Sequence, residues 1–141
     1  MNKFRFLICI SCLLTGLSCC DEVDGLKDLK NTNWELTGLF DEDTGEWIAP
    51  EPVECEQGKC YTLAIDEKGV GVLQLVFVSI HIDLQNINIF VMSKIGYDFP
   101  GNGNLFYHFL YELDSFKREN NTLMILNESK KRYLQYKLVE L

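Results

Sequence analysis

Val70-Gly-Val-Leu-Gln-Leu-Val-Phe-Val-Ser-Ile-His-Ile-Asp-Leu-Gln-Asn-Ile-Asn-Ile-Phe-Val-Met92 is a long apolar stretch, and its reading decides the fold. It is long enough to cross a bilayer as a helix. Its content argues against that. Gln74, His81, Asp83, Gln85, Asn86 and Asn88 are expensive to bury in lipid. Valine and isoleucine dominate the apolar positions, and such β-branched residues favour extended backbone. The stretch therefore reads as three strands, about Val70 to Val76, Val78 to Leu84 and Ile87 to Met92. In the second, Ile80, Ile82 and Leu84 alternate with Ser79, His81 and Asp83, so one face is buried and the other wet.

Working outward, the flanks carry the same period of two. Upstream, Trp34, Leu36, Gly38 and Phe40 fall on one face of a strand, and Asp41-Glu-Asp-Thr-Gly45 is a turn. Glu46 to Ala49 is a short strand stopped by Pro50 and Pro52. Lys59 to Ile65 follows, with Tyr61, Leu63 and Ile65 on one face. Downstream, Gly96 to Asn104 is a loop. Phe106, Phe109, Leu110 and Leu113 have helical spacing, which predicts a short helix over Leu105 to Leu113. Ser115 to Arg118, Thr122 to Leu126 and Tyr133 to Val139 are the last strands, with turns at Asn120-Asn121 and Ser129-Lys130-Lys131. Many short strands with regular turn signals, and one short helix, predict an all-β fold: a small antiparallel barrel or sandwich.

The N-terminus has a different character. Lys3 and Arg5 precede an apolar run from Phe6 to Leu17, the layout of a cleaved secretory signal. Gly16-Leu-Ser18 leads into Cys19 and Cys20, then Asp21, Glu22 and Asp24. This arrangement resembles a bacterial lipoprotein signal, in which a cysteine thiol is acylated and the chain is cut just before it. Small Ser18 favours Cys19 as the lipidated residue, with Cys20 the alternative. The resemblance implies palmitate and a membrane partner reached through the lipid. The acids after the cysteine resemble the export tag of surface lipoproteins in the Bacteroidetes group; the competing reading is a solvated acidic linker. The expected organisation is a signal over 1–18, an acidic tether or short helical turn over 19–31, and one β domain over 32–141.

Removing residues 1–18 from the 141 leaves 123, enough for one core. It also removes two cations and no acid, so the formal charge moves from −8 to −10. Phosphate binding needs clustered Lys and Arg, so nucleic acid is excluded as a partner. Nor would charge draw the domain to anionic lipid. Two or more acyl chains would hold it, where one is marginal. With Cys9 and Cys12 in the leader and Cys19 lipidated, Cys55 and Cys60 remain as a pair, flanking a turn-like Glu56-Gln-Gly-Lys59. Outside the cytoplasm such a pair oxidises, and the small ring is worth roughly 2 kcal/mol. The alternatives are half of a zinc shell without its second cysteine pair, free thiols, or a redox pair of unusual spacing.

Leu29-Lys-Asn-Thr-Asn-Trp-Glu-Leu36, then Phe106 to Leu113, Ser115-Phe116, Asn121-Thr-Leu-Met-Ile-Leu126 and Tyr133-Leu-Gln-Tyr136 together resemble META/HslJ-like (lipocalin-like) domains. Cys60-Tyr-Thr-Leu63 is similar to a strand common in lipocalin-like lipoproteins of the Bacteroidetes. The middle, Val70 to Met92, is more apolar than in that family. The resemblance implies a compact β-barrel and brings no catalytic residues.

No chemistry-bearing motif stands out. His81 and His108 fall in different elements with no nucleophile motif beside them, and no Gly-x-Ser-x-Gly elbow or phosphate loop occurs. Asp41, Glu42, Asp43 and Glu46 could hold calcium, but their spacing is not that of an EF-hand. Tyr97, Phe99, Phe106, Tyr107, Tyr111 and Tyr133 line either a ligand mouth or the core, with core favoured. Trp34 reads as core and Trp47 less so. The expectation is a lipid-anchored, non-enzymatic binding or interaction module of the envelope, with no catalytic residue, metal or cofactor and with an unknown protein or small-molecule ligand. The alternatives are a structural component of an envelope assembly and an inhibitor of an extracellular enzyme.

Overall fold

The computed structural model describes residues 25–56, 58–86, 88–90 and 98–140. The chain forms a single 3-10 turn at Lys27–Leu29, strands β1 (Thr32–Asp41), β2 (Glu46–Ile48), β3 (Glu54–Cys55), β4 (Gly58–Lys59), β5 (Tyr61–Ile65), β6 (Val70–Leu75), β7 (Val78–Asp83) and β8 (Asn88–Phe90), helix α1 (Gly103–Leu110), and strands β9 (Ser115–Glu119), β10 (Thr122–Asn127) and β11 (Arg132–Val139). Within the apolar stretch β6, β7 and β8 follow one another as strands, while Ile87, Val91 and Met92 lie outside the described residues. No helix among the described residues is long and apolar enough to cross a membrane.

Nine strands make one antiparallel sheet in the order β8-β7-β6-β5-β1-β11-β10-β9, with β2 pairing β1 beside that path. The sheet curls into a half-barrel, in keeping with the small antiparallel barrel expected. Its inner face carries Trp34, Leu36, Leu39, Leu63, Leu73, Ile80, Ile82, Leu123, Ile125, Leu134 and Tyr136, all buried. Gly71 keeps the centre tight: a methyl there would stand 2.6 Å from Ile82 and 2.8 Å from Leu63.

The two ends of the half-barrel are closed by different devices. At one end, helix α1 places Phe106, Phe109 and Leu110 against the core, and Phe106 packs on Tyr61 with ring centroids 5.4 Å apart. The helix starts at Gly103, two residues before the predicted start, because its backbone lies against Phe99; a side chain there would collide with Phe99 at 2.6 Å. Leu113, expected in the helix, follows it in the buried connection to β9. Asn102 staples this end to the loop before β3, donating to the Ala49 carbonyl at 2.7 Å and accepting from the Glu51 N–H at 2.7 Å.

At the other end, Leu26 and Leu29 are fully buried, and Leu26 rests on Gly69. This corrects the tether expected over 19–31. Residues 26–29 belong to the fold, the short-turn alternative holds at Lys27–Leu29, and residues 19–24 lie outside the described residues. Arg118 ties the turn to the sheet. Its guanidinium donates to the Asp28 carbonyl, donates to the Asn120 carbonyl at 3.0 Å, and stands 5.4 Å over the Trp34 ring. The Trp34 indole N–H in turn donates to Thr32 Oγ1 at 2.7 Å, and that hydroxyl donates to the Leu29 carbonyl.

A second correction concerns β1. Its register against β11 slips between Leu36 and Gly38. A bulge of this kind adds one residue and turns the rest of the strand over. Leu39, opposite Leu134, is therefore buried, and Phe40, opposite Tyr133, is on the outer face together with Gly38.

Candidate functional site

The cysteine pair is joined: Cys55 and Cys60 form a disulfide across the small β3–β4 hairpin. Cys60 is buried, and its amide donates to the Val53 carbonyl at 3.0 Å, which breaks the strand predicted from Lys59 into β4 and β5. Cys19 and Cys20 lie outside the described residues.

His81 is exposed on the outer face of β7, and His108 is exposed on α1. Among the described residues no hydrogen bond or ion pair links either to a nucleophile. Two acids of the β1–β2 turn, Asp41 and Asp43, are engaged with the fold. Asp41 accepts from the amides of Asp43 and Thr44 at 3.0 and 3.1 Å and from Arg132 Nε at 2.7 Å. The Arg132 hydrogen bond, followed by the amide of Thr44, holds its carboxyl below the usual range. Asp43 pairs with Lys131 at 2.9 Å. No cluster of His, Cys, Asp and Glu poised to hold a metal occurs among the described residues.

The aromatic residues divide. Phe99, Phe106 and Tyr107 are core. Tyr111 is exposed and its hydroxyl lies 2.7 Å from that of Tyr107. Tyr97 lies outside the described residues. Tyr133 belongs to neither group: it stands on the outer face of the sheet.

That outer face carries the candidate site. Across β2, β1, β11 and β10 the directly paired residues are Trp47, Phe40, Tyr133 and Leu126, one continuous apolar row. Phe40 lies 5.2 Å from Tyr133 and 6.3 Å from Trp47, ring to ring. Trp47 is 44% exposed and lies flat on Gly38, where a methyl would meet its ring at 2.6 Å. Beside Tyr133 a groove of about 280 Å³ is lined by Glu42, Leu126, Asn127, Glu128, Lys131, Arg132 and Tyr133. Nearer the Leu26–Leu29 end of the sheet the outer rows are polar. Glu35, Lys137, Thr122 and Glu119 form one rung, with Lys137 and Glu35 paired at 3.2 Å. The row was invisible to the alternation pattern because the bulge moves Phe40 outward; the one available signal was Trp47 beside a proline-rich turn.

A larger groove, about 650 Å³, lies between Gly25 and Asp28 on one side and Phe116, Lys117 and Arg118 of the edge strand, with Asn120 of the following turn, on the other. Neither groove reaches into the core. Every buried side-chain nitrogen and oxygen of the described residues has a partner. Asn127, the buried polar side chain, donates to the Glu112 carbonyl and accepts from Ser129 Oγ at 2.9 Å and the Lys130 amide at 2.8 Å.

No family model matches the chain. Over 140 residues it is 29% identical to a protein of Tannerella forsythia named "Putative lipoprotein", the match covering 96% of each chain. Its fold is similar to that of a DUF4847 family protein from Bacteroides vulgatus, with a TM-score of 0.53 and 12% identity over 80% of this chain and 96% of that one. At that identity the likeness concerns the fold alone.

Proposed function

We propose that the chain is a lipid-anchored lipoprotein of the cell envelope, held at the outer membrane with its domain displayed, and that it serves as a non-enzymatic interaction module of META/HslJ-like type. The carrying observation is the division of the molecule. The first described residue, Gly25, lies beside one closed end, and the inner face is filled with packed side chains. Recognition then falls to the outer surface, where the aromatic row stands near the opposite end. The full-length similarity to a protein named a lipoprotein supports the anchor.

The anchor is tested by metabolic labelling with an alkyne palmitate. Label is expected in the wild-type chain and in Cys20→Ala, and is expected to vanish in Cys19→Ala; absence of label from the wild type would end the lipoprotein reading. Hydrolytic turnover lost on His81→Ala or His108→Ala would end the non-enzymatic reading.

A further inference from the structure

We infer that the outer row Trp47–Phe40–Tyr133, with the groove beside Tyr133, docks a protein segment in which arginine or lysine alternates with apolar residues. The inference rests on the interaction-module reading and names its surface and the chemistry of its partner.

Three observations carry it. First, the row is apolar and partly open: Trp47 is 44% exposed, while Phe40, Tyr133 and Leu126 are each only partly covered. Exposed tryptophan and tyrosine on rigid strands are the side chains that anchor protein interfaces. Second, the turns beside the row are net negative: Asp41, Glu42, Asp43, Glu46 and Glu128 stand against Lys130, Lys131 and Arg132. Lys130 is held by Glu112 at 2.7 Å, and the groove wall itself sets Glu42 and Glu128 against Lys131 and Arg132. Both cations are already held, Lys131 by Asp43 at 2.9 Å and Arg132 by Asp41 at 2.7 Å. The field left for a visitor comes from Glu42 and Glu128, which stand on the groove walls. Burial, and then the charges of Glu42 and Glu119, raise the Tyr133 phenol. Third, the groove has room for one long side chain. A guanidinium could lie over the Tyr133 ring, with its alkyl stem against Leu126 and its charge toward Glu42 and Glu128. A neutral glycan would use the rings and leave the charge idle; an anionic partner would be repelled.

The test uses the full mature chain in detergent and a short labelled peptide alternating arginine with valine. Its glutamate-for-arginine counterpart and a neutral β-glucan oligosaccharide are run beside it, all read by fluorescence anisotropy. The cationic peptide is expected to bind, to weaken as salt rises, and to lose roughly tenfold in affinity in Trp47→Ala and in the near-isosteric Glu42→Gln. Lys27→Ala, in the turn at the other end, is expected to leave it unchanged. Glu42→Gln keeps the test decisive if Trp47→Ala folds poorly. No binding of the cationic peptide, binding indifferent to both substitutions, or preference for the oligosaccharide or the acidic peptide would overturn the inference. A photo-crosslinker placed in whole cells separates this failure from that of the wider reading. Protein adducts from position 117 or 139 but not from 47 sink only this surface, whereas adducts from none of the three sink the interaction module as well.

Discussion

Leu29→Ala tests whether the residues ahead of the first strand belong to the fold. Leu29 is completely buried within the Lys27–Leu29 turn, in the same core cluster as Leu26 and Trp34. Truncating a buried leucine removes its transfer free energy and leaves a cavity, together costing about 2–5 kcal/mol. The backbone contact that fixes the turn survives the change, because Thr32 Oγ1 donates to the Leu29 main-chain carbonyl. The turn should stay in place and the cavity should not collapse fully, so about 3 kcal/mol is the working value. For a domain of this size that lowers Tm by roughly 12 °C, a large share of a total stability of about 5–15 kcal/mol. The control is Lys27→Ala, an exposed neighbour in the same turn, expected to change stability by less than about 0.5 kcal/mol. Thermal unfolding followed by far-UV circular dichroism, with urea titration for the free energy, reads both. If Leu29→Ala unfolds within a degree or two of Lys27→Ala, the turn is a tether after all and the closed end of the half-barrel is wrong.

Replacing Cys55 and Cys60 by serine opens the ring of the β3–β4 hairpin and should cost about 2 kcal/mol, seen as a lower Tm that reductant no longer changes. Gly71→Ala forces a methyl into contact with Ile82 and Leu63 and should destabilise by about 1–3 kcal/mol through overpacking; an unchanged urea midpoint would show that the sheet centre is looser than described. Alkali should unfold the domain through its buried phenols. Burial pushes Tyr61 up to about 12 and raises Tyr136 further. A folded-state value above the unfolded one means a contribution present in full below about pH 10 and lost as pH climbs toward 12. Tyr136→Phe should therefore extend stability in alkali, measured as phenolate absorbance against circular dichroism.

The strands were legible because one face of the sheet is buried and the other wet. Ile80 and Ile82 alternate with Ser79 and His81, and Tyr61, Leu63 and Ile65 with Thr62 and Ala64, and the structure buries the first set of each. The α1 region was legible for the same reason at helical period, with Phe106, Phe109 and Leu110 inward. Three features were not. Leu26 and Leu29 stand among charged residues with no period of their own, so nothing local shows that the open end of a curled sheet needs them as a stopper. Arg118 reads as an ordinary surface charge on an alternating strand. Its place across Trp34 depends on a turn ninety residues away in sequence, since it reaches the carbonyl of Asp28. The register slip in β1 is set by the partner strand, where Thr37 Oγ1 donates to the Gln135 carbonyl at 2.9 Å, and a single strand carries no trace of it.

That slip links the fold to the surface that we assign to a partner. Without the extra residue, Phe40 would follow Trp34 and Leu36 onto the inner face and Leu39 would face solvent. The inner face would then have Gly38 opposite Leu134 and a phenyl ring opposite Arg132, leaving empty the place in the core that Leu39 now fills. With it, the smaller Leu39 goes inward and the ring goes out, beside Tyr133 and under the reach of Trp47. Gly38 completes the exchange, since only a residue without a side chain lets the Trp47 indole lie against the strand. A bulge, a glycine and a short edge strand thus place three aromatic rings in one row on the outside of a packed barrel. The inner face is already packed, so the rings stay outside, where each is left partly open. Glu42 and Glu128 on the groove wall beside them are the physical reason to expect a cationic segment there.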